Sequence, residues 1–168
     1  MNKRFILSTL ALGSVVLIFA QTAPPKSDPR TESLSNVKQL STGMMIYITD
    51  NDDVFPYPQT EKGWQMPIYP YLKNKNLYRT LNPAKSGFFK FNMALGGVSA
   101  TAIGNPTTMP MFYDPTAWPD GKYLHSRADT SSKFVEASEW KTIKKDLTAK
   151  LKRSAKPLPK NWGDTFKL

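Results

Sequence analysis

From Asp28 to Pro58 the chain reads DPRTESLSNVKQLSTGMMIYITDNDDVFPYP, and its apolar positions recur at helical spacing. At about 100° per residue, Leu34, Val37, Leu40, Met44, Met45, Tyr47 and Ile48 fall on one side of a helix. Ser35, Lys38, Gln39, Thr42 and Thr49 fall on the other, and Ile46 alone breaks the pattern. Asp28 is placed to cap the first turn, and Pro29 sits at the first helical position, where its missing N–H costs nothing. The spacing therefore predicts a helix over 29–49. Asp50, Asn51, Asp52 and Asp53 stop it, and Val54, Phe55 and Pro56 begin an extended segment.

The rest of the chain must cover that apolar side. Over 57–83 the pattern is irregular: Pro58, Pro67 and Pro70 argue against a long helix, while Trp64, Met66, Ile68, Tyr69, Tyr71 and Leu72 supply apolar bulk. A helical turn is expected over 76–80. Residues 88–93 (FFKFNM) read as a strand ended by the Gly96-Gly97 turn, and 109–114 (MPMFYD) as a second, with Pro110 at an edge or at the strand's first position. Asp120-Gly121 is a hairpin-type turn, so 122–125 pairs back as a third strand, and 133–135 makes a short fourth. Ser138 opens a second helix with Trp140, Ile143, Leu147 and Leu151 on one face and lysines on the other, running to about 153. The tail, 156–168, holds two prolines, Trp162 and Phe166, and wraps the surface or frays.

Ahead of the helix, residues 1–20 read as an export signal: Asn2, Lys3 and Arg4 form a basic start, 5–19 an apolar run, and Ala20 a small residue for cleavage before Gln21. The run is shorter than the roughly 20 apolar residues of a membrane span. An uncleaved anchor is the alternative. Residues 21–28 form a short extended linker, and 29–155 a single domain. The expected address is exported, periplasmic or extracellular.

The chain has 168 residues, fourteen prolines and no cysteine, so loops are many, disulfides are absent and thiol catalysis is excluded. Formal charge is +10, to which Lys3 and Arg4 of the leader contribute two. A positive surface attracts polyanions and loses that attraction in salt, although simple solubility is the favoured reading.

The order of the motifs resembles bacterial prepilin-like (pseudopilin-type) proteins, of the type II secretion or type IV pilin-like kind. Ser33 to Leu40 (SLSNVKQL) and Met45 to Pro56 (MIYITDNDDVFP) are similar to that family's C-x-S-N-L-K-Q-I and Y-x-x-D-x-D-G-x-x-P segments. Trp64, Pro70-Tyr71-Leu72-Lys73-Asn74 and Asn82-Pro83 resemble its W, P-Y-V-K-N and C-P. Phe91 to Leu95 looks like its Y-x-x-N-x-x-L strand, Met111 to Asp114 like a later strand ending in an acid, and Ala128 to Val135 like A-D-G-H-V-K-F-V. The likeness covers most of 31–145 in collinear order. It implies a pilin-like α+β head, with a long N-terminal amphipathic helix packed on a small antiparallel sheet and, here, a second C-terminal helix. It also implies an extracytoplasmic structural or assembly role. The chain departs from the family in lacking the prepilin cleavage motif G-F-T-L-x-E, and Ser33 and Leu81 stand where the family has cysteines.

Candidate chemistry is sparse. Asp50, Asp52 and Asp53 cluster hard oxygen ligands suited to Ca²⁺, but lack the glycine and terminal glutamate of an EF-hand, and a helix-ending turn is the favoured reading. His125 is the only histidine, without G-x-S-x-G or H-E-x-x-H, and is read as structural. No spacing among the 13 acidic residues nominates a glycosidase pair. Gly96-Gly97 and Gly104 read as turns. Lys141, Lys144, Lys145, Lys152 and Arg153 form a basic helix face that fits an anionic polymer or lipid headgroups, against the favoured reading of a solvated face. The expectation is a non-enzymatic domain acting on envelope or secretion-system proteins, or on itself. It would need no cofactor beyond a candidate Ca²⁺ and take no nucleic acid, and it would meet a membrane only through an uncleaved leader. The alternative is a secreted module for an acidic polysaccharide or other polyanion. A hydrolase with unassigned carboxylates is the least favoured.

Overall fold

The computed structural model describes residues 27–160. The expected leader, the linker as far as residue 26, and the tail from 161 onward with Trp162 and Phe166 lie outside the described residues. Helix α1 spans Pro29–Thr49, with Asp28 Oδ2 accepting the Thr31 N–H at 3.0 Å as the sequence requires. Val37, Leu40, Met44 and Ile48 are buried, and Ile46, which breaks the stripe, is 46% exposed. The covered face is wider than the apolar stripe and includes Ser33, Asn36 and Ser41. Each has a partner: Ser41 Oγ donates to Val37 O at 2.8 Å, Asn36 Nδ2 to Arg79 O at 3.2 Å, and Ser33 Oγ accepts from Leu81 N–H at 2.8 Å. Burial without such bonds would cost about 1–3 kcal/mol per group.

The region 57–83 is more regular than its prolines suggest. Helix α2, Gln65–Leu72, contains both Pro67 and Pro70. Pro67 lies in the first turn, where no intrahelical N–H bond is required, so only Pro70 costs the helix a bond. Lys73 closes it with φ 51° and an N–H to Tyr69 O at 2.8 Å. The expected turn over 76–80 is a 3₁₀ helix, Lys75–Tyr78.

The single strand expected over 88–93 is two short strands in different sheets. Strand β1 (Arg79–Thr80) pairs with β2 (Gly87–Phe88), and β3 (Lys90–Phe91) joins β4 (Pro110–Tyr113), β5 (Tyr123–Arg127) and β6 (Ser132–Val135) in an antiparallel sheet of order β3-β4-β5-β6. Phe89 N–H extends the β1–β2 pairing by bonding Tyr78 O at 2.9 Å, and the chain changes sheets between it and Lys90, which pairs with Tyr113. Asn92 N–H still bonds Met111 O at 2.8 Å, and pairing stops there because Asn92 Oδ1 accepts the Ala94 N–H and starts a 3₁₀ turn over Met93–Leu95. Strand β4 is an inner strand, and Pro110 is tolerated as its first residue. Between Pro110 and Tyr113 the ladder shifts, and Ser126 Oγ accepts the Phe112 N–H at 3.2 Å.

The second helix also differs from expectation. Helix α3 is Ala137–Ile143, preceded by Glu136 rather than capped by Ser138, and it tightens into 3₁₀ over Lys144–Thr148. It does not reach 153. Leu151 packs against the main core and the N–H groups of Ser154 and Ala155 bond Gly97 O, which draws the chain off the helix axis.

Alternation along β5 divides the molecule into layers. Leu124 joins Val37, Leu40, Met44, Trp64, Phe91 and Phe112 in the main core, while Tyr123 packs with Val135, Trp140, Ile143, Tyr113 and Leu147 in a smaller cluster under α3. Long helix, small antiparallel sheet and C-terminal helix make an α+β fold.

Gly43 sets the spacing of α1 and α2, since a Cβ there would lie 2.6 Å from Leu72 Cδ2 and 2.7 Å from its Cγ. Helix propensity favours Ala over Gly by about 1 kcal/mol, but overpacking costs about 1–3 kcal/mol. Gly43→Ala is therefore expected to lower the melting temperature, and Leu72→Ala to be less damaging in that background than alone. Additive losses in a double-mutant cycle would show that the two positions do not compete for space.

Candidate functional site

The five basic residues read as one helix face do not share one. Only Lys141 is on α3; Lys144 and Lys145 are on the 3₁₀ turn, and Lys152 and Arg153 are on the extended segment beyond it. Lys144 Nζ sits 5.6 Å from the Tyr123 ring centre and 5.8 Å from that of Trp140. Arg153 stacks its guanidinium 4.1 Å over Tyr57 and donates to Gly96 O. All five cations are exposed, and two of them, Lys144 and Arg153, also lie over aromatic rings.

Asp50, Asp52 and Asp53 form the turn that ends α1. The Asp50 N–H bonds Ile46 O at 3.1 Å and the Asp53 N–H bonds Ile48 O at 2.8 Å, with Asp52 and Asp53 at φ 54° and 56°. Short acidic side chains tolerate that left-handed region better than most. Among the described residues, no three His, Asp or Glu side chains gather where they could hold a metal ion.

A small cavity of about 150 Å³ lies at the open end of the outer cluster, lined by Glu61, Lys90, Asn92, Met93, Tyr113 and Leu147 among others. Lys90 Nζ bonds Glu61 Oε2 at 2.9 Å, and this carboxylate holds the ammonium above its usual range. Burial pushes the Tyr113 hydroxyl up. At neutral pH the cavity presents an ion pair and a protonated phenol.

Sequence reading missed a buried polar knot. Asp114 is fully buried, and its carboxylate accepts from Thr80 Oγ1 at 2.7 Å, Asn82 Nδ2 at 3.1 Å and Thr116 N–H at 2.9 Å. Asn82 Nδ2 also reaches the carbonyls of Thr116 and Ala117. Every Asp114 partner is a donor, so the knot ties β1 to the end of β4 and leaves no oxygen reaching outward for a substrate. The available signal was an acid ending an apolar strand, a position that requires donors from elsewhere.

His125 lies on the α3 side of β5, opposite Tyr113 of β4 and Lys133 of β6, with the Trp140 ring 5.8 Å away. It is fully buried, and neither ring nitrogen finds a partner at hydrogen-bonding geometry. Burial holds the imidazole down at about 4; Arg127 and Lys133 add to this, while the Ser126 backbone and Glu139 pull upward. The structure thus keeps this histidine as a neutral core residue beside Trp140, whose indole N–H is also unpartnered.

Fold and chemistry together define an α+β scaffold built on a long helix. Among the described residues, no helix is long and apolar enough to cross a membrane. Comparison of the chain with protein-family models, with curated proteins and with solved structures finds no match.

Because folding favours neutral His125, its contribution is complete above pH 6.5 and is lost as pH falls from there through about 4, a total on the order of 3 kcal/mol. His125→Phe, which removes the unpartnered nitrogens, is expected to match or exceed the native melting temperature at pH 7 and to lose less of it by pH 4.5. Equal losses in the two proteins would assign acid sensitivity to the carboxylates instead.

Proposed function

We propose that the chain is an exported, non-enzymatic pilin-like domain that works by protein–protein contact in the cell envelope or outside it. The observation that carries this reading is the meeting of Ser33 and Leu81. Ser33, matched to the first cysteine of the resembled family, accepts a 2.8 Å hydrogen bond from the N–H of Leu81, 48 residues further on and next to the Asn82-Pro83 pair matched to the family's C-P. A collinear likeness of short motifs arises by chance more easily than one whose corresponding segments also meet in space. The long helix on a small antiparallel sheet supports the same reading.

A second reading, binding of an acidic polysaccharide or other polyanion, draws support from charge placement. Nine of the 23 lysines and arginines, against two of the 13 acids, fall in residues 141–168. Ionic strength separates the two readings. Cells expressing the chain are fractionated, and the mass and partners of the recovered protein are measured. A leaderless mass, with envelope components still bound in high salt, is the result expected of the pilin-like domain. Partners shed by salt, and lost in Lys141→Glu/Lys145→Glu, would transfer the assignment to the polyanion module. Recovery of only the full-length, membrane-bound form would contradict the cleaved leader.

Since the chain has no cysteine, the carrying observation has its own check. Ser33→Cys with Leu81→Cys is expected to form a disulfide on mild oxidation and to raise the melting temperature relative to its reduced form. Two titratable thiols after oxidation would remove that support.

A further inference from the structure

Lys90 of the edge strand β3 and Tyr113 of β4 are direct partners across the ladder, so their side chains leave the same face of the sheet. Beyond that edge, Glu61 closes on Lys90 from the segment before α2, with its two oxygens 2.9 and 3.0 Å from Nζ. Glu61, Lys90 and Tyr113 bring polar atoms to the cavity of about 150 Å³, and Phe91, Met93 and Leu147 bring apolar ones. Asn92 also lines it, but its side chain is committed: Nδ2 donates to Pro110 O at 2.8 Å and Oδ1 accepts the Ala94 N–H at 3.0 Å. The Tyr113 hydroxyl, by contrast, has no hydrogen-bond partner among the described residues, and the charges of Lys90 and Glu61 both act on it.

Size and charge together narrow what fits. A cavity of about this volume holds a body the size of benzene, so the guest is small. A guest carrying only a carboxylate reaches Lys90 at the cost of lying beside the Glu61 carboxylate. One carrying only an ammonium reaches Glu61 and is repelled by Lys90. A guest with both groups on one carbon sets its carboxylate on Lys90 and its ammonium on Glu61. The four charges then alternate in sign, and the protein's own ion pair does not have to break. The protonated phenol of Tyr113 supplies a further donor to the guest's carboxylate, and the apolar lining takes a short hydrocarbon side chain.

We propose that this cavity binds a free α-amino acid with a short aliphatic side chain. Lys90 Nζ and the Tyr113 hydroxyl hold its carboxylate, Glu61 holds its ammonium, and Phe91, Met93 and Leu147 receive the side chain. Its place between the main core and the cluster under α3 makes the guest a bridge between them, since Phe91 belongs to the first and Tyr113 and Leu147 to the second. The proposal is independent of the envelope role, because purified chain and a free amino acid are the only components of its test.

The probe is L-valine, titrated at neutral pH into the ¹⁵N-labelled chain and followed by its amide shifts. A saturable change centred on residues 90–93 and 113 is expected, with a Kd on the order of 1 mM. Isovalerate, which lacks the ammonium, and isobutylamine, which lacks the carboxylate, are expected to bind at least about tenfold more weakly. The Glu61 side chain is 70% exposed, so Glu61→Gln keeps the fold. That variant is expected to bind valine about tenfold more weakly and to lose the preference for valine over isovalerate. No saturable shift below about 50 mM valine would overturn the proposal, as would saturation centred away from the cavity. Isovalerate or isobutylamine binding as tightly as valine, or unchanged affinity for valine in Glu61→Gln, would equally reject it.

Discussion

Covering α1 is the constraint on which the remaining structure depends. Val37, Leu40, Met44 and Ile48 are buried along a helix of 21 residues. At about 1.5–3 kcal/mol for each fully buried side chain, they outweigh any capping or propensity term by several-fold. Two layers answer the demand: α2 with its 3₁₀ continuation lies along one flank, and the four-stranded sheet lies beneath. Trp64 joins them, with its ring centre 4.8 Å from Phe112, 5.5 Å from Tyr78 and 6.1 Å from Phe91. One side chain thereby ties the approach to α2, the 3₁₀ turn and two strands to the helix.

The far side of the sheet is a lesser structure. Its cluster centres on Trp140, stacked at 5.4 Å on Tyr123 and tilted at 5.5 Å against Tyr113, with Val135, Ile143 and Leu147 around it. Three ion pairs fringe it, Lys122–Glu136, Arg127–Glu139 and Lys133–Glu139, all with solvent access and each worth at most about 1 kcal/mol. A thin apolar layer, a histidine without partners and surface ion pairs make α3 the weaker of the two covers, and the chain beyond it is weaker still. Stability therefore falls from α1 outward toward residues 152–160, which are mostly exposed.

How much of this was legible follows from the length over which each signal repeats. Helix α1 presents about six turns of consistent pattern, so both ends and even the exposed Ile46 were readable. The antiparallel pairing of β4 with β5 was readable from the Asp120-Gly121 turn between them, with Gly121 at φ 80°. In contrast, Phe88, Phe89, Lys90 and Phe91 alternate acceptably for one strand, and the change of sheet depends on Tyr78 O, which local pattern cannot reveal. Helix α2 was hidden because prolines were weighed by number and not by position. Leu147 and Leu151 keep the i, i+4 spacing of a helix, but Leu151 is drawn to the main core. That one departure also dispersed the basic face, since Lys152 and Arg153 shared it only if the helix continued. The Asp114 knot draws donors from positions 80, 82 and 116, and no window of periodicity spans them.

A chain without cysteine must hold distant segments by other means, and the two buried polar staples show the consequence. A covalent link over the 48 residues between Ser33 and Leu81 would restrict the unfolded chain by about 4 kcal/mol, whereas the hydrogen bond there contributes about 1 kcal/mol. The difference has to come from packing nearby. Asn36, one turn further along α1, bonds Arg79 O, and Thr80 beside it bonds Asp114, so the segment 79–82 is held from the helix side and from the sheet side at once. These bonds act as a unit, because each leaves a buried group unpaired if its neighbour moves. They give the segment one register against α1, which is the specificity that a cross-link would otherwise impose.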